Sequence, residues 1–170
     1  MRTESDGGKT LGLNCIVLVR EVWDTRDLVG EIANSAGELN TGRLTTRFEP
    51  EDLNALEMAL QVKDEHGGTV TAIAVGASRQ VDVLRECLYR GADQVCRVVD
   101  AAVEASDTGT KAESVAAAVR KAGVPDLLLC GLDVVEGENS QLGVEAACRL
   151  GLPRANYVDR LEAVGDGSVT

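Results

Sequence analysis

The sequence predicts an α/β fold, an open, mostly parallel, doubly wound sheet with helices on both faces. Three observations carry this expectation. Four short apolar runs, residues 15–19, 72–75, 95–99 (broken by Arg97) and 127–130, lack the alternation of a half-exposed strand; they suit strands buried on both faces. Stretches with helical spacing and readable ends lie between them. The two kinds of segment also alternate, as βα units do when they feed one parallel sheet through right-handed crossovers.

Taken in order, the polar, Gly-rich residues 1–13 read as a flexible extension ahead of a domain spanning 14–170. The first strand follows. Residues 27–48 should then be a crossover helix, but Gly30, Gly37, Gly42 and short apolar alternation suggest a hairpin-like insertion. Pro50 opens the first helix, with Glu51 and Asp52 where the helix dipole favours acids and Leu53, Leu56 and Leu60 as its buried stripe. Ser78 can cap the second, with Val81, Leu84 and Leu88 on its inner face and Gly91 at its stop. The third carries Val115, Ala118, Val119 and Ala122 and ends at Gly123 and Pro125. The fourth spans about 140–150, with Leu142, Ala146 and Leu150 on one face and Gly151 and Pro153 closing it. Residues 165–167 look like a turn, and the chain stops in what reads as the opening of another strand.

Composition narrows function. The 170 residues are 44% hydrophobic, enough for one domain with a single core. Asp and Glu number 28 against 17 Lys and Arg, a formal charge of −11; that field repels nucleic acid and anionic lipid. Aromatics, at 2%, leave base-stacking platforms poorly supplied. No apolar run reaches membrane-span length and the start lacks a hydrophobic signal core, so neither membrane insertion nor export is expected, and the reading is cytoplasmic. The five cysteines (Cys15, Cys87, Cys96, Cys130, Cys148) show no C-x-x-C spacing and read as reduced core thiols. His66, the only histidine, sits in a turn signal and reads as a solvated loop residue; metal sites and a His-based triad are not expected.

In such sheets ligands sit beyond the carboxyl ends of the strands, where strand order reverses. Four segments would converge there: residues 19–21, 49–52, 75–78 and 131–143. The last is the most informative. Its glycines give backbone freedom, Asn139 or Ser140 can cap the following helix, and the N–H groups beyond can receive a phosphate. Gly143 would let an anion or sugar approach. The alternative is a capped helix behind an acidic loop. Arg20 is the nearby cation for a phosphate, or else a surface partner of Glu21 or Asp24. There is no G-x-G-x-x-G after the first strand, no P-loop and no G-x-S-x-G elbow, and nothing sets a nucleophile beside a base.

Several ordered motifs are similar to one family. Val19-Arg20-Glu21-Val22-Trp23-Asp24 resembles the V-K-R-V-x-D turn of the beta (small) subunit of electron transfer flavoproteins. Glu49-Pro50-Glu51-Asp52 with residues 55–60 resembles its N-P-[FY]-[DC]-x-x-A-[VL]-E-x-A-[LV]. Arg85 with residues 88–93 resembles R-x-A-L-A-x-G-A-D, and residues 126–131 and 139–143 resemble D-L-[IV]-x-x-G and the loop ending N-Q-T-G. Leu152-Pro153 stands at the family's W-P.

The resemblance implies an adenine nucleotide alpha-hydrolase-like, Rossmann-like fold and a non-enzymatic electron carrier. It implies a heterodimer with an FAD-binding alpha subunit, flavin-dependent dehydrogenases as electron donors, and a quinone or ferredoxin-linked acceptor. FAD is shared with the alpha subunit, and AMP or a second FAD fills the subunit's own crevice. Carried over by motif, that nucleotide would contact Leu18, Arg20, Glu49, Pro50, Glu51, Asp52, Val75, Gly76, Gly131, Asp133, Glu136, Asn139, Ser140, Gln141, Leu142 and Gly143. Several family polar positions are changed: Asn-Pro is Glu49-Pro50, the aromatic is Glu51, and the Lys-Gln after the loop glycine is Leu132-Asp133. Two other readings follow: a stand-alone nucleotide-binding domain resembling universal stress proteins, and a ligand-free structural domain with a degenerate pocket. Against the family pattern, residues 14–170 are expected to lack the family's C-terminal part.

Overall fold

β1 (Leu13–Leu18) is the hub of the observed sheet. It pairs in parallel with β4 (Gly68–Val75) on one side and with β6 (Leu127–Cys130) on the other, and β5 (Gln94–Val98) adds to the far side of β4. The order is β5-β4-β1-β6. It runs outward from β1 for two strands, then jumps to β1's other side, so strand order reverses between β1 and β6. The structure is a computed structural model that describes residues 12–170 apart from 25, 27–29, 31–32, 38–39, 41, 43, 77–79, 105, 133–140 and 166.

Non-alternating strand sequences serve two cores, as predicted. Successive side chains of a strand point to opposite faces. Cys15, Val17 and Val19 of the β1 segment, with Val70, Ala72 and Ala74 of β4, pack under α1 (Pro50–His66) and α2 (Gln80–Arg90). Ile16, Leu18 and Ile73 face the other way, against α4 (Thr108–Ala122) and α5 (Leu142–Leu150). A short α3 (Ala101–Glu104) precedes α4.

The helices lie where the spacing placed them, but two faces are rotated. In α1 the buried residues are Asp52, Ala55, Leu56, Ala59 and Val62; Leu53 and Leu60 flank the stripe, half-buried. In α2 Val83, Leu84 and Cys87 go inward, whereas Val81 and Leu88 are exposed. Small residues decide both faces, because alanine and cysteine let a helix lie close on the sheet. In α4 Ala112, Val115, Ala116, Ala118 and Val119 are buried and Ala122 is exposed; Asp107 caps the helix by accepting the Thr110 N–H at 2.7 Å. The expected cap of α2, Ser78, lies outside the described residues.

The insertion after the first strand is a hairpin: β2 (Glu21–Trp23) pairs antiparallel with β3 (Thr46–Phe48) apart from the main sheet. A second small hairpin, β7 (Val164–Gly165) with β8 (Ser168–Val169), accounts for the turn and strand expected near residue 170. His66 differs from expectation: it is the last residue of α1, its ring 3.8 Å from Glu65. Gly68, at φ 113°, begins β4 so close to Leu13 that a Cβ would overlap Leu13 backbone atoms. The core-thiol reading holds for Cys15 and Cys87. Cys96 is half-buried, and Cys130 and Cys148 are exposed, one ending the outer strand β6 and the other on the outward side of α5.

Candidate functional site

The carboxyl ends of the strands are level. Leu18 is paired with Ile73 of β4 and with Cys130 of β6, and Val75 stands opposite Val98 of β5. The chain leaving β1 keeps its place, since Val19 N–H donates to Ile73 O at 2.9 Å. Gly76 does the same for β4, donating to Val98 O at 3.1 Å.

Three predicted segments are joined around one carboxylate. Glu49 N–H donates to Arg20 O at 3.0 Å, which sets the start of α1 beside the exit of β1. From the first turn of α1, Asp52 is fully buried. Its Oδ2 accepts Arg20 Nε–H at 2.9 Å, and its Oδ1 accepts both Arg20 Nη2–H at 2.9 Å and Gly131 N–H at 3.0 Å. The fork-to-fork geometry is that of a charge-assisted bidentate pair. Burial pushes the Asp52 carboxyl above its ordinary range, and the Arg20 and Gly131 donors pull against that shift. Both oxygens accept and face donors, so the group the geometry holds is the carboxylate.

Gly131 is present for space. A Cβ there would fall on the backbone of Glu51 and Asp52, so the exit of β6 lies directly against the first turn of α1. That contact changes what this turn offers a ligand. Pro50 has no N–H, and the Asp52 N–H is covered by Gly131. A helix start that would otherwise receive an anion is used for packing.

The far end of the 131–143 segment arrives through α5. Gln141 stands at its N-cap and makes no side-chain cap; Glu145 N–H to Gln141 O, at 2.8 Å, is the first intrahelical bond. The amides of Leu142, Gly143 and Val144 precede that bond. Gly143 packs on β6, and a Cβ there would overlap the Cys130 sulfur. The expected opening for an anion at Gly143 is therefore a helix–strand contact. Leu142 is half-buried against the core shared by Leu18 and Val75.

Of the predicted site residues, Leu18, Arg20, Glu49, Pro50, Glu51, Asp52, Val75, Gly76, Gly131, Gln141, Leu142 and Gly143 lie on this one rim. Asp133, Glu136, Asn139 and Ser140 fall outside the described residues, as does either expected cap of α5. Arg20 is paired with Asp52, not with Glu21 or Asp24. Glu21 instead accepts from Thr46 Oγ1 within the hairpin, and Asp24 pairs with Arg26 at 2.6 Å. Sequence reasoning missed this role of Asp52, which read as an acid placed for the helix dipole and, by resemblance, as a nucleotide contact. The partner is 32 residues away, a separation that no local pattern reports.

Among these described segments Arg20 is the only basic side chain, against Glu21, Glu49, Glu51 and Asp52. Glu49 is also fully buried. Leu18 is buried and Val75 half-buried in the core that Leu142 joins, and the first amides of α5 have no intrahelical acceptor. Among the described residues no group of three His, Cys, Asp or Glu could hold a metal ion, and no helix is long and apolar enough to cross a membrane.

Comparison with known proteins adds an independent line. Residues 38–170 match the electron transfer flavoprotein domain family. The chain is 33% identical to the electron transfer flavoprotein subunit beta of Clostridium acetobutylicum over 91% of its own length and 58% of that protein's. It is 32% identical to the caffeyl-CoA reductase-Etf complex subunit CarD of Acetobacterium woodii, over 88% of this chain and 57% of that one. It is 34% identical to protein FixA of Azorhizobium caulinodans, over 89% of this chain and 55% of that one. The chain thus spans little more than half the length of these relatives.

Proposed function

This chain belongs to the electron transfer flavoprotein domain family, and we propose that it acts there as a beta-type subunit, an electron-carrier component and not an enzyme in its own right. In this reading it pairs with a large alpha-type subunit that holds FAD. Its own rim holds an adenine nucleotide, AMP or the adenosine part of a second FAD. The flavin supplies the redox chemistry. The protein supplies binding and position.

The observation that carries the reading is the joining of the exits of β1 and β6 to the start of α1 at the strand-order reversal, in a chain whose relatives bear beta-subunit names. The residues present fit the adenosine part of such a ligand. Leu18 and Val75 offer apolar contact, and Gly76 exposes backbone at the rim. The first amides of α5 are the donors available to a phosphate, because Asp52 takes up the Arg20 fork. A phosphate held by backbone N–H groups needs no cation beside it.

Co-expression with an electron transfer flavoprotein alpha-type subunit from the same organism tests the reading. The expected result is a co-purifying pair with flavin absorbance, and AMP or FAD released on denaturation. A protein that purifies alone, colourless and free of nucleotide overturns it. Tight ATP binding by the isolated chain with no response to AMP favours the stress-protein-like alternative instead.

A further inference from the structure

We propose that Asp52 is a positioning residue for the nucleotide crevice: its carboxylate ties the exit of β1, through Arg20, to the exit of β6, through Gly131. The inference rests on the adenine-nucleotide reading above.

The two tied residues are opposite lips of the crevice. β1 and β6 are the neighbouring strands between which strand order reverses, and Arg20 and Gly131 are the chain just beyond their ends. A ligand at such a reversal lies between those lips. Asp52 reaches both from α1, with three donors within 3.0 Å on its two oxygens. Gly131 rests on the α1 backbone with no room for a Cβ, so the N–H has one seat, and the carboxylate fixes its direction. The pair spends on geometry the one basic side chain among the described residues of the rim. That use makes sense where charge neutralisation is left to backbone donors, as it is at the start of α5.

An asparagine at 52 has one acceptor oxygen and one donor nitrogen. It cannot accept both edges of the Arg20 fork, and its amide nitrogen would face a guanidinium N–H. A lysine at 20 keeps the charge and loses the fork.

The test compares wild type, Asp52→Asn, Arg20→Met and Arg20→Lys. AMP affinity is read by titration calorimetry, stability by urea unfolding, and amide exchange over residues 127–132. The expected result is AMP binding weakened about tenfold or more in D52N and R20M, the worth of one charge-assisted hydrogen bond. R20K recovers part of the loss, and exchange at Gly131 quickens in step with affinity. A purely structural role predicts a lower urea midpoint and faster exchange at Gly131 with the wild-type AMP affinity; that result overturns the proposal and leaves the nucleotide reading intact. Wild type that binds no AMP overturns both. R20K, the mildest change, keeps the comparison available if D52N does not fold.

Discussion

Replacing Gly131 by alanine is the sharpest probe of how β6 and α1 meet. The added Cβ would land on backbone atoms of Glu51 and Asp52, which cannot rotate away as a side-chain tip can. Strand and helix must separate. Forced overpacking of this kind costs about 1–3 kcal/mol. Separation also stretches the Gly131 N–H bond to the buried Asp52 carboxylate, now 3.0 Å long, and hydrogen bonds to charged groups contribute about 1.5–3 kcal/mol. Partial relaxation overlaps the two effects, giving a loss of about 3–5 kcal/mol. An unfolding entropy near 2.1 cal/mol/K per residue makes the Tm fall about 8–14 °C for a chain of this size. Urea unfolding followed by circular dichroism, with Gly165→Ala as control, measures the loss. A Cβ at Gly165 meets nothing within 4 Å, so the control should stay within ~0.5 kcal/mol of wild type. A G131A protein as stable as G165A would refute the contact between β6 and α1, and with it the placement of Asp52 between the two lips.

Three further outcomes follow from the same coordinates. Gly143→Ala should destabilise through overlap with the Cys130 sulfur, and Cys130→Ala in the same chain should recover most of the loss; a double-mutant cycle in urea that shows simple additivity refutes the contact. Asp93, which accepts Lys63 Nζ–H at 2.7 Å and Val70 N–H at 2.8 Å, has its carboxyl held below the ordinary 3.8, first by Lys63 and then by Val70. A depressed acid contributes stability above its unfolded pKa and loses it as pH falls through the folded one. Asp93→Ala should therefore cost about 1 kcal/mol at pH 7, the solvent-screened value for an exposed pair, and the gap to wild type should close as the pH drops below 3.8; a gap independent of pH refutes the assignment. Burial pushes the Cys87 thiol up to about 12 and the Cys15 thiol up to about 11, so native protein at pH 8 should leave both unmodified by iodoacetamide while the exposed Cys148 reacts, with mass spectrometry of tryptic peptides as the readout.

What the sequence made legible follows from locality. Residues 127–130 are an apolar tetrapeptide between Pro125-Asp126 and Gly131, and they form β6 end for end. Pro50 with two acids behind it marks the start of α1 to the residue. Both signals lie within a few positions. The rotated faces of α1 and α2 show the limit of reading by size: leucines attract attention, yet Ala55, Ala59 and Cys87 are buried where Leu53 and Leu60 are only half-buried and Leu88 is exposed. The crevice segments were legible through topology, because any parallel sheet of this order brings its strand ends together. Their chemistry was not. Arg20 with Asp52, 32 residues apart, and Asp52 with Gly131, 79 apart, exist only after folding. Gly131 and Gly143 read as freedom for a loop or ligand, but both are there so that one element can touch another.

The central place of β1 has a temporal consequence. During synthesis β1 leaves the ribosome first and can zip to β4 once residue 75 is out, but its other flank stays bare until Leu127 to Cys130 appear. The Asn14 N–H donates to Asp126 across 112 residues at 2.7 Å, a contact whose loop closure must wait for most of the chain. Nascent protein therefore passes through a half-built stage with an apolar strand flank open to other chains, and the Gly131 arm of the clasp on Asp52 closes only after β6 has appeared.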